Sequence, residues 1–473
     1  MKVDTIVKAP HFYTLEGEGV GYRTGIAMVV DRGKIVDLAD AATVDQRYQA
    51  EETLALGHHV VLPGLIDAHM HTGCCILRGV AQDTRYWMMY GLEPYSNVVR
   101  PQERHLGTRL AVLEAIKAGT TTLGDYDHDM GPVCELIAKV GARGNLTQVI
   151  REVKHRVYHP GELYPFTPEL GRQSLEDNLA LFDRWHGEAD GRIRILLGPQ
   201  GADFLSEGLL LEVQRQAKAR GTRIHMHVQQ GDRETWQIQA RCGKRPIEWL
   251  QSIGYLDETL IAVHLTDADD QEAAVVARSG ASMVLCPGSI AIIDGIVPPS
   301  EAFQAAGGPC ALGSDQAAGN NCHNMFNEMK LVCLLNKVKY RDPERVPAWK
   351  ALRMATIEGA RALGLGEAIG SLEVGKRADF IAVDLARPTM MPVFSVPMRN
   401  IVPNLVYSAR GEEVALAVVD GRTILKDGKV LAMDEEELIA QVERSAESIG
   451  ERAAPEFWRI NGSNADWMRE GKL

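Results

Sequence analysis

The sequence predicts an α/β protein: a (β/α)8 TIM-like barrel with a small β-sandwich domain built from both chain ends. Three observations lead there. Between about residues 60 and 340, strand-like and helix-like runs alternate in the βαβα rhythm of a parallel sheet. Eight strand-like runs fall in that stretch, enough to close a barrel. Both chain ends instead alternate apolar and polar residues, as half-exposed strands do.

Taken in order, residues 1–58 carry "GIAMVVDRGKIVDL", a β pattern. The first barrel strand is read at 60–69, entered through Pro63-Gly64. The others are "TTTLGDYD" (120–127), "GNLTQVI" (144–150), "IRILLGPQ" (193–200), "RIHMHVQ" (223–229), "LIAVHLT" (260–266), "SMVLCP" (282–287) and "CALGSD" (310–315). Helical patterns such as "LGTRLAVLEAIKAG" and "LLLEVQRQAKARG" separate them, and several end in Gly, the residue suited to a helix C-cap. An open doubly wound sheet is the rival, but no Gly-rich phosphate loop follows the first strand. Residues 360–430 return to β text with Asp420-Gly421 and Asp427-Gly428 as turns. The expected domains are therefore 1–58 plus 360–430 as the sandwich, 59–359 as the barrel, and 431–473 as a C-terminal helix and tail. In that tail, Trp458 and Trp467 are suited either to a neighbouring subunit or to the parent chain.

Composition narrows the function. The chain has 473 residues, 45% hydrophobic and 24% charged, with net charge −12. No run of Lys and Arg is present, which argues against nucleic acid or an anionic membrane as partner. The eight cysteines form no CxxC pair, so neither a zinc knuckle nor a disulfide framework is expected. The N-terminus lacks an apolar signal region and no segment has 18 uninterrupted apolar residues. A cytoplasmic protein acting on a small molecule is the expectation, as a homo-oligomer (dimer or tetramer). The Asn461-Gly462-Ser463 sequon is then read as chance.

The chemistry begins at "LPGLIDAHMHTG" (62–73), where an apolar strand ends in His69 and His71. Alternate residues of a strand share a face, so both imidazoles can aim at one point. A pair of strand-end histidines bonded to backbone would explain this motif alone. It does not explain His225 and His227 late in the fifth strand, His264 late in the sixth and Asp315 closing the eighth. Functional groups of a barrel gather at the C-terminal ends of its strands. Two imidazoles from the first strand, one from the fifth and a carboxylate from the eighth would hold a divalent metal with one position open for water. Such a metal brings the pKa of that water toward neutrality. Asp315 can bind the metal and take the proton, while His264 can hydrogen-bond the hydroxide or the oxyanion.

With these residues in view, the chain resembles the amidohydrolase superfamily, in the branch of triazine hydrolases and heterocycle deaminases. "LPGLIDAHMH", "AIKAGTTTLGD", "MHV", "VHLT", "LGSD" and "MATIEGARALGLGEAIGSLEVGKRADFIAVD" follow that pattern in order, over roughly residues 55–430. The resemblance implies His69, His71, His227 and Asp315 as metal ligands, with His264 contacting water or substrate. His225 would then be packed or hydrogen-bonded to a ligand. The two-metal members bridge their ions with a carboxylated lysine at the end of the fourth strand. Here that place reads "LLGPQG", which favours one metal. Zinc is the default, and iron, cobalt and manganese suit the same ligands.

One departure stands out. Deaminases of this branch usually carry a proton-shuttling Glu three residues after the fifth-strand ligand, and this chain has Gln230. Glutamine exchanges hydrogen bonds but not protons. Gln230 can orient a carbonyl or amidine while Asp315 carries the proton. Alternatively Asp127, His128, Asp232 or Glu234 replaces the acid, or the leaving group needs no proton, as with halide. Substrate contacts are expected from Trp87 and Tyr90 in the aromatic segment 74–96, and from Gln200 after the fourth strand. Asn320 and Asn321 read as loop-fixing, and Asp125 and Asp127 as partners of a ligand histidine or as helix caps. The expected activity is hydrolysis of a non-peptide C–N bond in a small N-heterocycle, an aminohydrolase reaction. Opening of a cyclic amide or hydrolytic dehalogenation on the same metal is the alternative, and a catalytically silent binding protein the competitor from another class.

Overall fold

The computed structural model describes the whole chain except Val157, His159, Pro160 and Asn461. The acceptor of the 461–463 sequon therefore lies outside the described residues. Eight parallel strands follow one another around the centre: β1 (Leu65–Met70), β2 (Thr120–Asp127), β3 (Arg143–Ile150), β4 (Ile193–Pro199), β5 (Ile224–Val228), β6 (Leu260–His264), β7 (Ser282–Leu285) and β8 (Cys310–Leu312). They are buried almost throughout, as parallel strands covered on both faces must be. The ring closes where Met70 pairs with Asp315. There the Asp315 N–H donates to the His69 carbonyl at 2.8 Å, and the His71 N–H donates to the Asp315 carbonyl at 3.2 Å.

Two further sheets form the sandwich. Lys2–Lys8, Ile26–Asp31, Lys34–Asp40 and Gln49–Ala55 make the first. The second joins both chain ends, with His59–Pro63 antiparallel to Phe380–Asp384 and Val61 opposite Ala382. Phe12, Met28, Val30, Val61, Phe380 and Val418 pack between the sheets.

The strand read at 60–69 is two strands. His59–Pro63 belongs to the sandwich and Leu65–Met70 to the barrel. Gly64 is the hinge: its N–H donates to the Asp379 carbonyl, and a Cβ there would lie 2.0 Å from Thr121 Oγ1. An apolar run cannot reveal such a split, because both halves are buried. Arg143, at the start of β3, ties the bodies together through Asp379 and Asp420, each at 2.9 Å and all buried. A buried ion network of this kind fixes orientation more surely than it adds stability.

The C-terminal helix Glu435–Ile460 lies along helix Pro101–Lys117, held by Lys117–Glu435 at 2.6 Å and Arg452–Glu103 at 2.7 Å. Trp458 packs on its own chain, ring to ring with Phe457 and under the Arg469 guanidinium.

Candidate metal centre and active site

Local backbone explains why the polar groups converge. β5, β6 and β8 end in abrupt turns where Gln229, His264, Leu265 and Asp315 adopt left-handed backbone, with φ of 51°, 78°, 52° and 60°. Non-glycine residues in that region cost roughly 1–3 kcal/mol each and persist where the surroundings over-determine them. Here the turns bring His264 and Asp315 to the ring's centre.

The nitrogen atoms of His69, His71 and His227 lie within 4.8 Å of one another, and so do the ligand atoms of His69, His264 and Asp315. Asp315 Oδ1 stands 3.4 Å from His71 Nε2 and 3.7 Å from His69 Nε2, and Oδ2 stands 4.0 Å from His264 Nε2. Far-side nitrogens are tied away from this point. His71 Nδ1 donates to the Tyr126 carbonyl at 2.6 Å, and His227 Nδ1 to the Gln200 carbonyl at 2.8 Å. A carbonyl only accepts, so both rings present an Nε2 lone pair to the centre. His69 Nδ1 meets His225 Nε2 at 3.0 Å, while its own Nε2 is buried with no protein partner.

These features fit a divalent cation. Donors bound to one tetrahedral zinc at about 2 Å stand roughly 3.3 Å apart, close to the 3.4 and 3.7 Å here. Burial, reinforced by neighbouring imidazoles, holds His69 and His227 well below the usual histidine range, and it pushes His264 down to about 3. All are neutral donors at physiological pH, as ligation requires.

Of the groups around the site, Ser289 has no sequence signal, whereas Asp125, Asn320 and Asn321 are singled out by the sequence. Ser289, in the short helix Pro287–Ile293 after β7, donates to Asp315 Oδ2 at 2.6 Å. Asp67 is not a ligand; it accepts from the main chain and hydroxyl of Ser314, the residue before Asp315. Asp125 accepts from the Thr72 N–H at 3.0 Å and so shapes the turn after His71. Asn320 donates to the Ser314 carbonyl, and Asn321 takes left-handed backbone at the end of its turn.

The candidates to replace the missing acid sit in different electrostatic settings. Burial pushes the Asp127 carboxyl up, but Arg104 at 3.4 Å and His128 outweigh it and hold the group below the ordinary range. Burial pushes His128 down to about 4. Asp232 is exposed. Glu234 is pushed up to about 8 by burial and by Asp203, and it accepts the Gln230 N–H at 3.0 Å. It thus supports the Gln230 main chain. Asp294, which sequence reading missed, is half-buried and lifted to about 6 by burial and by Asp315 and Asp232.

The substrate candidates occupy different settings. Gln200 reaches the site through its carbonyl on His227, and its side-chain Oε1 is buried without a partner. Trp87 packs half-buried with Ile76, Leu77, Ala318 and Ile449. Tyr90 lies against Gly462, where a Cβ would come 3.0 Å from Tyr90 Cβ. The aromatic segment is thereby clamped by the C-terminal region, and Ala81 N–H donates to the Ala318 carbonyl just past Asp315.

A (β/α)8 barrel with histidines and a carboxylate converging at its strand ends defines a metal-dependent hydrolase. The comparisons with known proteins name the family: the profile of the Amidohydrolase family matches residues 60–424, and the chain belongs to it. It is similar to the 5-methylthioadenosine/S-adenosylhomocysteine deaminase of Moorella thermoacetica, 33% identical over 84% of this chain and 88% of the relative. The 5'-deoxyadenosine deaminase of Methanosarcina acetivorans is 30% identical over 95% of this chain and 99% of its own. Among solved structures, an adenosine deaminase from Xanthomonas campestris with bound zinc superposes with a TM-score of 0.86 at 27% identity, covering 95% of this chain and 99% of that one. A triazine hydrolase variant, 20% identical with a TM-score of 0.83 over 93% and 99%, shares the fold. The chain is an enzyme, a metal-dependent hydrolase of C–N bonds that works on small molecules.

Proposed function

We propose that the protein hydrolytically removes an amino group from a purine-like aminated heterocycle, with one zinc ion held by His69, His71, His227 and Asp315. The observation that carries this reading is the set of Nε2 atoms facing Asp315 while the Nδ1 atoms of His71 and His227 are tied to carbonyls. The relatives' names, deaminases of adenosine-type compounds, support an aminated purine as the ring.

When bound, the cation supplies Lewis acidity that brings a water's pKa toward neutrality. Asp315 takes that water's proton and delivers it to the departing nitrogen, its Oδ2 steadied by Ser289. His264 has no protein partner at either ring nitrogen and is free to hydrogen-bond the oxygen added to the ring carbon. Gln230 orients the ring edge as a neutral amide. Gln200 offers its buried Oε1 to a ring N–H, and Trp87 and Tyr90 belong to the segment covering the mouth.

Gln230 also favours a second reading, in which the bond broken is a cyclic amide or carbon–halogen bond on the same site. Product analysis across aminated, halogenated and cyclic-amide heterocycles decides: ammonia supports deamination, while halide or a ring-opened acid supports the alternative. About one metal equivalent without turnover on any of them would instead mark a binding protein.

We further place the enzyme in the cytoplasm as a homo-oligomer. Among the described residues, no helix is long and apolar enough to cross a membrane. Met391, Phe394, Val396 and Met398 are exposed apolar residues in one loop and support a contact between copies. Light scattering on the purified enzyme reads the oligomeric state.

A further inference from the structure

We propose that Thr147 and His225 form a positioning relay that sets the ring tautomer of His69 and thereby the affinity of the site for its cation. The inference rests on His69 being a cation ligand.

His69 on β1, His225 on β5 and Thr147 on β3 meet inside the barrel. His69 Nδ1 lies 3.0 Å from His225 Nε2, and His225 Nδ1 lies 3.1 Å from Thr147 Oγ1. All three residues are fully buried at 0% exposure. A neutral imidazole has one N–H and one lone pair. Where two imidazoles face each other, one donates and the other accepts, so the direction of one bond dictates the next.

Two arrangements satisfy this chain. In the first, His69 Nδ1–H donates to His225 Nε2, and His225 Nδ1–H donates to Thr147 Oγ1. His69 Nε2 then points a lone pair at the cation position. In the second, every bond is reversed: the Thr147 hydroxyl donates to His225 Nδ1, and His225 Nε2–H donates to His69 Nδ1. His69 now carries its proton on Nε2, which blocks ligation. That proton faces Asp315 Oδ1 across 3.7 Å.

His71 and His227 have no such freedom, because their Nδ1 partners are carbonyls that only accept. His69 is the ligand whose form depends on side chains, and the Thr147 hydroxyl, by accepting from His225 Nδ1, favours the arrangement that leaves His69 Nε2 free to ligate. Packing prevents the rings from escaping the choice. The Tyr126 ring sits 5.3 Å from His225 and 5.9 Å from His69, and its hydroxyl is tied to the Gly198 carbonyl at 2.9 Å. Gly198 in turn leaves room for Thr147, since a Cβ there would come 2.6 Å from Thr147 Cγ2.

The test is zinc affinity of the metal-stripped full-length protein, by chelator competition, for wild type, Thr147→Val and Thr147→Ser. Valine keeps the shape and leaves His225 Nδ1 without a partner; serine keeps the hydroxyl. The expected result is affinity about 10–100-fold weaker for the valine variant, with serine staying close to wild type. Equal affinity for valine and wild type, or serine as weak as valine, overturns the relay. Should the valine variant not fold, ¹⁵N-histidine NMR on zinc-loaded wild type decides: His225 protonated on Nδ1 supports the relay, and on Nε2 overturns it. A wild type that binds no zinc refutes the ligand reading itself, and the relay with it.

Discussion

Ser289 Oγ and Asp315 Oδ2 are 2.6 Å apart, so the carboxylate that reaches His71 with one oxygen is pinned by a hydroxyl on the other. A hydrogen bond to a charged group is worth roughly 1.5–3 kcal/mol. Ser289→Ala should therefore lower kcat by about 10–100-fold with KM little changed, in steady-state assays of the metal-loaded enzyme.

Asp315→Asn removes the proposed base and weakens a ligand while leaving the main-chain bonds to His69 and His71 in place. Turnover should fall by at least ~10²–10⁴-fold, with an unchanged circular dichroism spectrum. An active variant would refute the assignment.

Gln230→Glu restores a proton-carrying group beside the fifth-strand ligand. Ammonia release from substrates with basic leaving groups should rise, and hydrolysis of halide-bearing substrates should not. Loss of both activities would show that the amide has a task of its own.

Stripping the cation with a chelator should abolish activity and lower the melting temperature, and added zinc should restore both. A ligand at about 1,000 times its Kd stabilises the folded state by about 4 kcal/mol. Unchanged activity after verified removal of metal would sink the proposed chemistry.

Glu234 gives a pH signature. Burial, aided by Asp203, pushes its carboxyl up to about 8 in the folded protein, whereas a glutamate in the unfolded chain ionises near about 4.3. Between those values the folded state holds a proton that the unfolded state has released. Its stabilising contribution is complete below the unfolded value and is lost as pH rises through about 8. Glu234→Gln should thus melt progressively higher relative to wild type as pH moves from about 5 to about 9.

The strand ends were readable because two periodicities coincide there. His69 and His71 fall on one strand face, and His227, His264 and Asp315 each close an apolar run. Other features leave no such trace. Gly64 divides two buried strands of identical character. Gln200 and Tyr126 act through carbonyl oxygens, which every residue has. Thr147 is a β-branched residue in a strand, and only the position of His225 across the barrel gives its hydroxyl a purpose. The setting of Trp87 depends on Ile449, far along the chain, so its aromatic character alone said nothing of its neighbours.

The seam between β1 and β8 has a consequence for biosynthesis. Because the peptide groups of His69, His71 and Asp315 are themselves the stitches that shut the ring, a nascent chain released only as far as β7 exposes an unfinished groove. Its two leading histidines would lie on a raw sheet edge without their acidic counterpart. If Asp315 is a ligand as proposed, tight capture of an ion would wait until that residue has left the ribosome, and from then on loading and topological completion would support each other.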